Sequence, residues 1–349
     1  MPRTTAHSSS SRRACAARRI DSFSGCASRA DSSSFFQGEE GFVAVRIGIG
    51  LGRFAFESVN GFRAWLDACE DSAIDSIWQS DQVVSRQFAP EPMTMLSIVA
   101  GATRRLKFGT NAVVLPFRDP ISFARQCATL DYLSEGRFLP GVAIGRGEAS
   151  EWAATGRSPK GRGPRADEAL EVMTRLWKSE SANFEGNFYS LKNATINPRP
   201  IQDPLPLWLG GASEAAIRRT ARFGSGWLAP LQTPDETAAT VKAIRVESQR
   251  IGRPIPDDHY GATFLYRIGK AADSRPADAS PPSQTAARLE SIQAIGGPER
   301  ALSLIREFQR AGVTKFIAIP IARSDDEVME QTRLLNEEVL PHANDNWES

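Results

Sequence analysis

Histidine is scarce in this chain. There are three in 349 residues, His7, His259 and His342, and none ends a strand-like run. A histidine-rich metal site of the hydrolase kind is therefore excluded, and no metal is expected. Cysteine is equally sparse: Cys15, Cys26, Cys69 and Cys127 match neither zinc-ligand nor thiol-redox spacing, and Cys69 and Cys127 read as buried thiols of a reducing cytoplasm. No apolar run approaches the roughly 20 residues of a membrane helix, so no membrane partner is expected. Excess charge is missing too, with 42 Lys and Arg against 41 Asp and Glu, which leaves no field to draw in nucleic acid. Small molecules and further copies of the chain are the expected partners. Lys107 and Lys315 stand at the beginnings of strand-like runs, which disfavours Schiff-base chemistry. So few candidate acids, bases and nucleophiles point to reactivity borrowed from a cofactor.

What is present divides unevenly. Residues 1–43 are rich in Ser and Arg without helix or strand period, and are expected to be a disordered tail or the product of a mis-assigned start, with the true start near Val45. From residue 44 to 342, short apolar runs alternate with helical patterns. The strand-like runs are VRIGIG, DSIWQS, FGTNAVVLP, RFLPGVAIG, PLWLG, GWLAP, YGATFLYRIG and KFIAIPI. Between them lie helices with legible starts: Pro92 opens one that runs to about Thr103, and Asp119 and Pro120 cap and open another whose apolar face is Phe123, Cys127 and Leu130. The last helix is expected from about Asp325 to Leu340, with a tail at 343–349. Eight strand and helix pairs fit an α/β fold of the closed (β/α)8 TIM-barrel type, with an open doubly wound sheet as the alternative. Insertions are expected at residues 180–204 before strand 5 and 268–296 after strand 7, the second a lid over the C-terminal face.

Three stretches carry candidate chemistry. Strand 5 ends in LGGAS, where Gly210 and Gly211 lead into a helix capped by Ser213. The amides of Gly211, Ala212 and Ser213 either cup a phosphate or make an ordinary tight turn. Arg146, between two glycines at the end of strand 4, either grips the same phosphate or is a surface arginine. The third strand interrupts its apolar run with Gly109, Thr110 and Asn111. Trp78 and Trp227 read as packing.

Taken together, FGTNAVVLPFRDP, ATLDYLSEGRF, GVAIGRGEASEWAATG, RADEALEVMTRLW, PLWLGGASEAAIRRTARFGSGW and GGPERALSLIREFQRAGVTKF resemble the bacterial luciferase-like family of flavin-dependent monooxygenases and F420-dependent reductases, in order over residues 45–340. The resemblance implies a bulge in strand 3 with a non-proline cis bond from Asn111 to Ala112, against which the flavin or deazaflavin ring would lie. It implies that Arg146 and the Gly210–Ser213 turn hold the cofactor phosphate, and that Asp81 and Arg118 face substrate. Many relatives end strand 2 in Asp-His; here the pair is Asp81 and Gln82, so an alcohol-deprotonating imidazole is missing. The expectation that follows is a monooxygenase using O2 and reduced FMN supplied by an NAD(P)H:flavin reductase. An F420-dependent reductase or dehydrogenase and a non-catalytic flavin-binding subunit are the alternatives. A homodimer is expected from the resemblance alone.

Overall fold

The computed structural model describes residues 44–52, 54–147, 150–269 and 291–345. Thirteen strands occur among them: β1 (Arg46–Leu51), β2 (Ser76–Gln79), β3 (Lys107–Thr110), β4 (Val113–Val114), β5 (Phe138–Leu139), β6 (Gly141–Ala143), β7 (Ala182–Glu185), β8 (Ser190–Ala194), β9 (Trp208–Gly210), β10 (Gly226–Leu228), β11 (Tyr260–Ile268), β12 (Gln293–Gly296) and β13 (Lys315–Pro320). The helices are α1 (Val59–Glu70), α2 (Pro92–Ala102), α3 (Pro120–Leu133), α4 (Glu151–Ala154), α5 (Arg162–Lys178), α6 (Glu214–Phe223), α7 (Pro234–Arg250), α8 (Pro298–Arg310) and α9 (Asp325–Leu334). None of them is long and apolar enough to cross a membrane.

Ten strands form one curled parallel sheet in the order β4, β6, β9, β10, β11, β13, β1, β2, β3, β5, and β12 adds to β11. The ends of this path are informative. β3 pairs with β5 and β4 with β6, so the curl returns on the same two chain segments from which it set out. Each segment is broken for a local reason: Pro140, between β5 and β6, has no N–H to give a ladder, and the break between β3 and β4 is the sequence interruption at Asn111.

Two layers of packing hold the curl. Inside it, Trp78, Leu139, Trp208, Leu228 and Ile317 form a buried cluster in which the two indoles meet edge to face at 6.1 Å. Gly50 makes room for it, since a Cβ there would stand 2.7 Å from a methyl of Ile317. Outside, helix faces such as Ala301, Ile305 and Phe308 of α8 bury against the strands. Trp78 and Trp227 are both fully buried, as their places in strands suggest. Cys69 and Cys127 are free and buried, and burial pushes both thiols up. Lys315 opens β13 buried at the far end from the cavity described below, touching Asp75 and donating to Ser76 Oγ at 2.8 Å.

The cap signals hold. Asp119 accepts from Ser122 N at 2.8 Å at the start of α3, and Thr233 with Glu236 forms a capping box on α7. Other details differ from the sequence pattern. The span 180–204 holds an antiparallel hairpin, β7 with β8, and α4 and β12 carry no periodicity of their own. The last helix loosens at Leu335 into a wider turn, where the pattern suggested one continuous helix to Leu340. Asn344 ties back to β1's approach by accepting from Val45 N at 2.6 Å. The expected tail over 1–43, most of the expected lid (270–290) and residues 346–349 lie outside the described residues.

One buried carboxylate steers the approach to β9. Asp131 of α3 is fully buried and accepts from Ile201 N (2.7 Å), Gln202 N (3.0 Å) and Gln202 Nε2 (2.6 Å). It thereby fixes the segment that leads into strand 5. Asp131→Ala removes the acceptor of three part-buried donors, and denaturant unfolding should record a loss of about 2 kcal/mol; a loss under about 0.5 kcal/mol would mean that water replaces the carboxylate.

Candidate active site

At the C-terminal ends of the strands a cavity of about 890 Å³ opens. Its wall is built of small residues, among them Ser80, Ala112, Ala143, Gly210, Gly211 and Ala229, which is why space remains above the interior cluster. The volume suits a ring system with a substituent. No histidine, cysteine or lysine is among its described lining residues.

One wall is the interrupted strand. Buried backbone groups need partners, and here side chains replace the missing ladder. Thr110 Oγ1 donates to Gly141 O (2.6 Å) and accepts from Gly141 N (2.8 Å), bridging the gap where β3 stops. Asn111 N donates to Gln79 O (2.8 Å), while its side-chain amide reaches across to Thr263 Oγ1 of β11 (2.9 Å). The Asn111–Ala112 peptide bond is cis, as the resemblance implies. Val114 N then donates to Asp81 Oδ2 at 3.2 Å. The result is a backbone surface facing the cavity, with Asn111 and Ala112 both in the lining.

The opposite wall is arranged for an anion. β9 ends at Gly210, and Gly211 has φ +117°, a left-handed value that a side chain would resist. Trp227 Nε1 donates to Gly211 O (2.8 Å), so a core indole from β10 sets the turn. Ser213 caps α6 by accepting from Ala216 N (3.3 Å). The N–H groups of Ala212 and Ser213 have no acceptor among the described residues, and they sit where the helix dipole is positive. Arg146 lines the same cavity. Its carbonyl is pinned by Trp152 Nε1 (2.7 Å), and its exposed guanidinium has no carboxylate partner among the described residues. Free amides, a helix start and an unpaired arginine on one rim fit the phosphate of a flavin-type cofactor, and the backbone wall fits its ring. Ala212 and Ser213 border the cavity without being in its lining.

The two residues expected to face substrate are brought together, but with each other. Arg118 Nη2 lies 3.1 Å from Asp81 Oδ1 and Arg118 Nη1 2.7 Å from Glu91 Oε1. The Asp81 side chain is 2% exposed and both its oxygens are engaged. Arg118 is not in the cavity lining. Burial works against the Arg118 charge, yet the two carboxylates outweigh it and hold the group above the ordinary arginine value. Burial likewise opposes ionisation of Glu91, but bonds from Thr94 N and Arg118 keep its carboxyl below the ordinary glutamate value. Sequence reasoning gave no site role to Glu91, Trp227 or Thr263. Glu91 stood visible just before Pro92, but glutamate is not a preferred cap, and the other two read as ordinary strand residues.

With this geometry in view, comparisons place the chain. Residues 41–279 match the model of a family described as luciferase-like monooxygenase. An F420-dependent glucose-6-phosphate dehydrogenase of Amycolatopsis mediterranei is 34% identical over 168 residues, covering 46% of this chain and 50% of that protein. The chain thus spans about half the length of that curated relative. Two solved structures share the fold. An F420-dependent secondary alcohol dehydrogenase in complex with an F420-acetone adduct superposes with TM-score 0.72 at 17% identity over 87% of this chain and 100% of that one. A monooxygenase from Streptomyces bottropensis gives TM-score 0.71 at 21% identity over 85% and 99%.

The Glu91 contact sets a pH dependence. Because its folded pKa is depressed, its contribution is complete above the ordinary value of 4.5 and is lost as pH falls through the lower folded value. Glu91→Gln keeps a capping oxygen but loses the charge. Melting curves should place it about 0.5–1 kcal/mol below the parent at neutral pH, allowing for solvent screening, with the gap closing as pH falls below the ordinary value. A gap that persists undiminished in acid would show that the charge contributes nothing.

Proposed function

The chain belongs to the luciferase-like monooxygenase family, and from that premise we propose that it is an F420-dependent oxidoreductase working in the reductive direction on a small organic substrate. The fold we propose is the family's closed (β/α)8 barrel, supported by the return of the sheet on the β3–β4 and β5–β6 segments. The cofactor is supported by the F420-dependent curated relatives. Arg146 and the Gly210–Ser213 turn would hold its phosphate, and Asn111 with Ala112 would back its ring. Bound there, the deazaflavin would supply the hydride of the reduction.

The observation that carries the direction is residue 82. Removing the proton of an alcohol needs a base at the reacting carbon's oxygen. Gln82 cannot serve, no histidine is among the described lining residues, both Asp81 oxygens accept from Val114 N and Arg118, and the other lining carboxylate, Glu151, opens α4 five residues after Arg146, on the segment proposed to hold the phosphate. Reduction needs only that a proton be delivered, and water at the open mouth can deliver it. Gln82, with one amide donor and one acceptor, is suited to orient a carbonyl or amide of the substrate rather than to ionise it.

The same glutamine favours a second reading. Oxygenation with reduced FMN also asks little acid–base work of the protein beyond positioning and a dry pocket. That reading requires an NAD(P)H:flavin reductase as partner. A homodimer is proposed on the resemblance alone, and a cytoplasmic location on the free, buried Cys69 and Cys127.

Fluorescence titration separates the two. F420 should bind at least about tenfold more tightly than FMN, and Arg146→Ala should weaken F420 binding by about 10–100-fold, the worth of one charge-assisted contact. Tighter FMN binding, with oxygen uptake coupled to a product, would transfer the chain to the monooxygenases; failure of both to bind would favour a non-catalytic subunit.

A further inference from the structure

The segment 81–91 joins β2 to α2 and gives the cavity one side: Ser80, Asp81, Gln82, Val84, Ser85, Arg86 and Gln87 all line it. Little within the segment holds it in place. Residues 82–88 are exposed, none is in a helix or strand, and between Gln82 and Pro90 the only hydrogen bond among the described residues runs from Gln87 N to Ser85 Oγ (3.1 Å). The Phe88 ring rests on Phe54, 5.2 Å between centroids. A wall of eleven residues with so few internal contacts would be expected to sample many positions.

Its two ends are another matter. Asp81 begins the segment and Glu91 closes it, and both carboxylates converge on one guanidinium. Each end is also tied to regular structure: Asp81 Oδ2 accepts from Val114 N of β4, and Glu91 Oε2 accepts from Thr94 N (2.8 Å) at the start of α2. Arg118 itself is fixed, because its N–H donates to Leu115 O (2.9 Å) and the next residue, Asp119, caps α3.

We propose that Arg118 is a positioning residue, a two-ended staple whose single guanidinium clasps both ends of the 81–91 segment and so sets the wall it gives the cavity. This rests on the reading of that cavity as the active site. The planar fork matters: Nη1 and Nη2 serve different carboxylates at once, which an ammonium on a flexible stem does not reproduce. Holding the ends of a short loop together removes part of its conformational freedom, so one side chain limits residues it never touches. The arginine thus shapes the site without meeting substrate.

Trypsin reads the segment directly, through the bond after Arg86. Without any cofactor, Arg118→Gln should be cut there about tenfold faster than the parent, the new fragment starting at Gln87 and identified by mass. Glu91→Gln, which frees one end and spares the buried Asp81 pair, should show about a threefold rise. Arg118→Lys should recover the parent's melting temperature while leaving the Arg86 bond nearly as exposed as in Arg118→Gln, since it restores charge but not the span. Cleavage after Lys192, exposed on β8, is the control. Unchanged cutting after Arg86 in all three variants, or a rise shared equally by the Lys192 bond, would overturn the staple. F420 titration of the same proteins tests the function separately, because the cleavage readout needs no ligand.

Discussion

The gap between Thr110 and Val113 is the constraint from which the rest of the site follows. A parallel sheet curled on itself has no solvent into which a broken ladder can turn its amides, so every interruption must be repaired by something else. Here the repairs come from three directions. Thr110 answers Gly141 on the next segment, Gln79 O takes Asn111 N, and Asp81 takes Val114 N. Each repair uses a group that would otherwise point into the cavity or the core, and together they leave a stretch of peptide plane as the surface a ligand meets. Backbone offers area and close approach without side-chain bulk, which is what a flat ring requires.

Asp81 connects that wall to the charge pattern around it. A carboxylate at 2% exposure is costly unless paired and hydrogen-bonded. Its partner, Arg118, carries a second carboxylate, Glu91, at the outer edge. On the β2 side the cavity's Asp81 is neutralised, while Arg146 on the β6 side has no carboxylate partner among the described residues. That contrast is what supports Arg146 as the proposed holder of a cofactor's phosphate. Both Asp81 oxygens accept hydrogen bonds from fixed groups, Val114 N and Arg118, which supports the proposed clamp.

How far this was legible in the sequence depends on the range of each interaction. Local signals were reliable: Asp119 before Pro120, Ser213 after the glycine pair, and the alternation of strands and helices all act within a few residues, so they leave a mark in the text. The cis bond and the Arg146 assignment were legible only through resemblance, because no composition or period announces them. What escaped was long-range pairing. Arg118 reaches Asp81 across 37 positions and Glu91 across 27, and nothing near any of the three signals the others. Asp81 lines the cavity and Arg118 pairs with it from outside the lining; residue type suggested their chemistry, and only geometry shows their partners. The β7–β8 hairpin was hidden for a similar reason: its strands alternate weakly, and it is stabilised by Glu168 of α5, which takes the amides of Asn187 and Phe188 at its turn (both 2.8 Å).

The two walls are not independent structures placed side by side. Trp227 sits in the packed layer outside the curl and yet fixes Gly211 O, while Asn111 of the other wall is anchored through Thr263 to β11, the strand next to Trp227's own. The distance between the ring wall and the anion rim is therefore set by the pairing of β9, β10 and β11, whose registers admit no slip without turning side chains to the wrong face. By contrast, the 81–91 side touches this frame only at its ends. Under the proposed staple, two walls are built into the sheet and the third hangs from one arginine, and residues 82–90 lie outside every strand and helix. That separation is the physical content of the proposed site: the part proposed to meet the cofactor is core, and the part proposed to meet the substrate is loop.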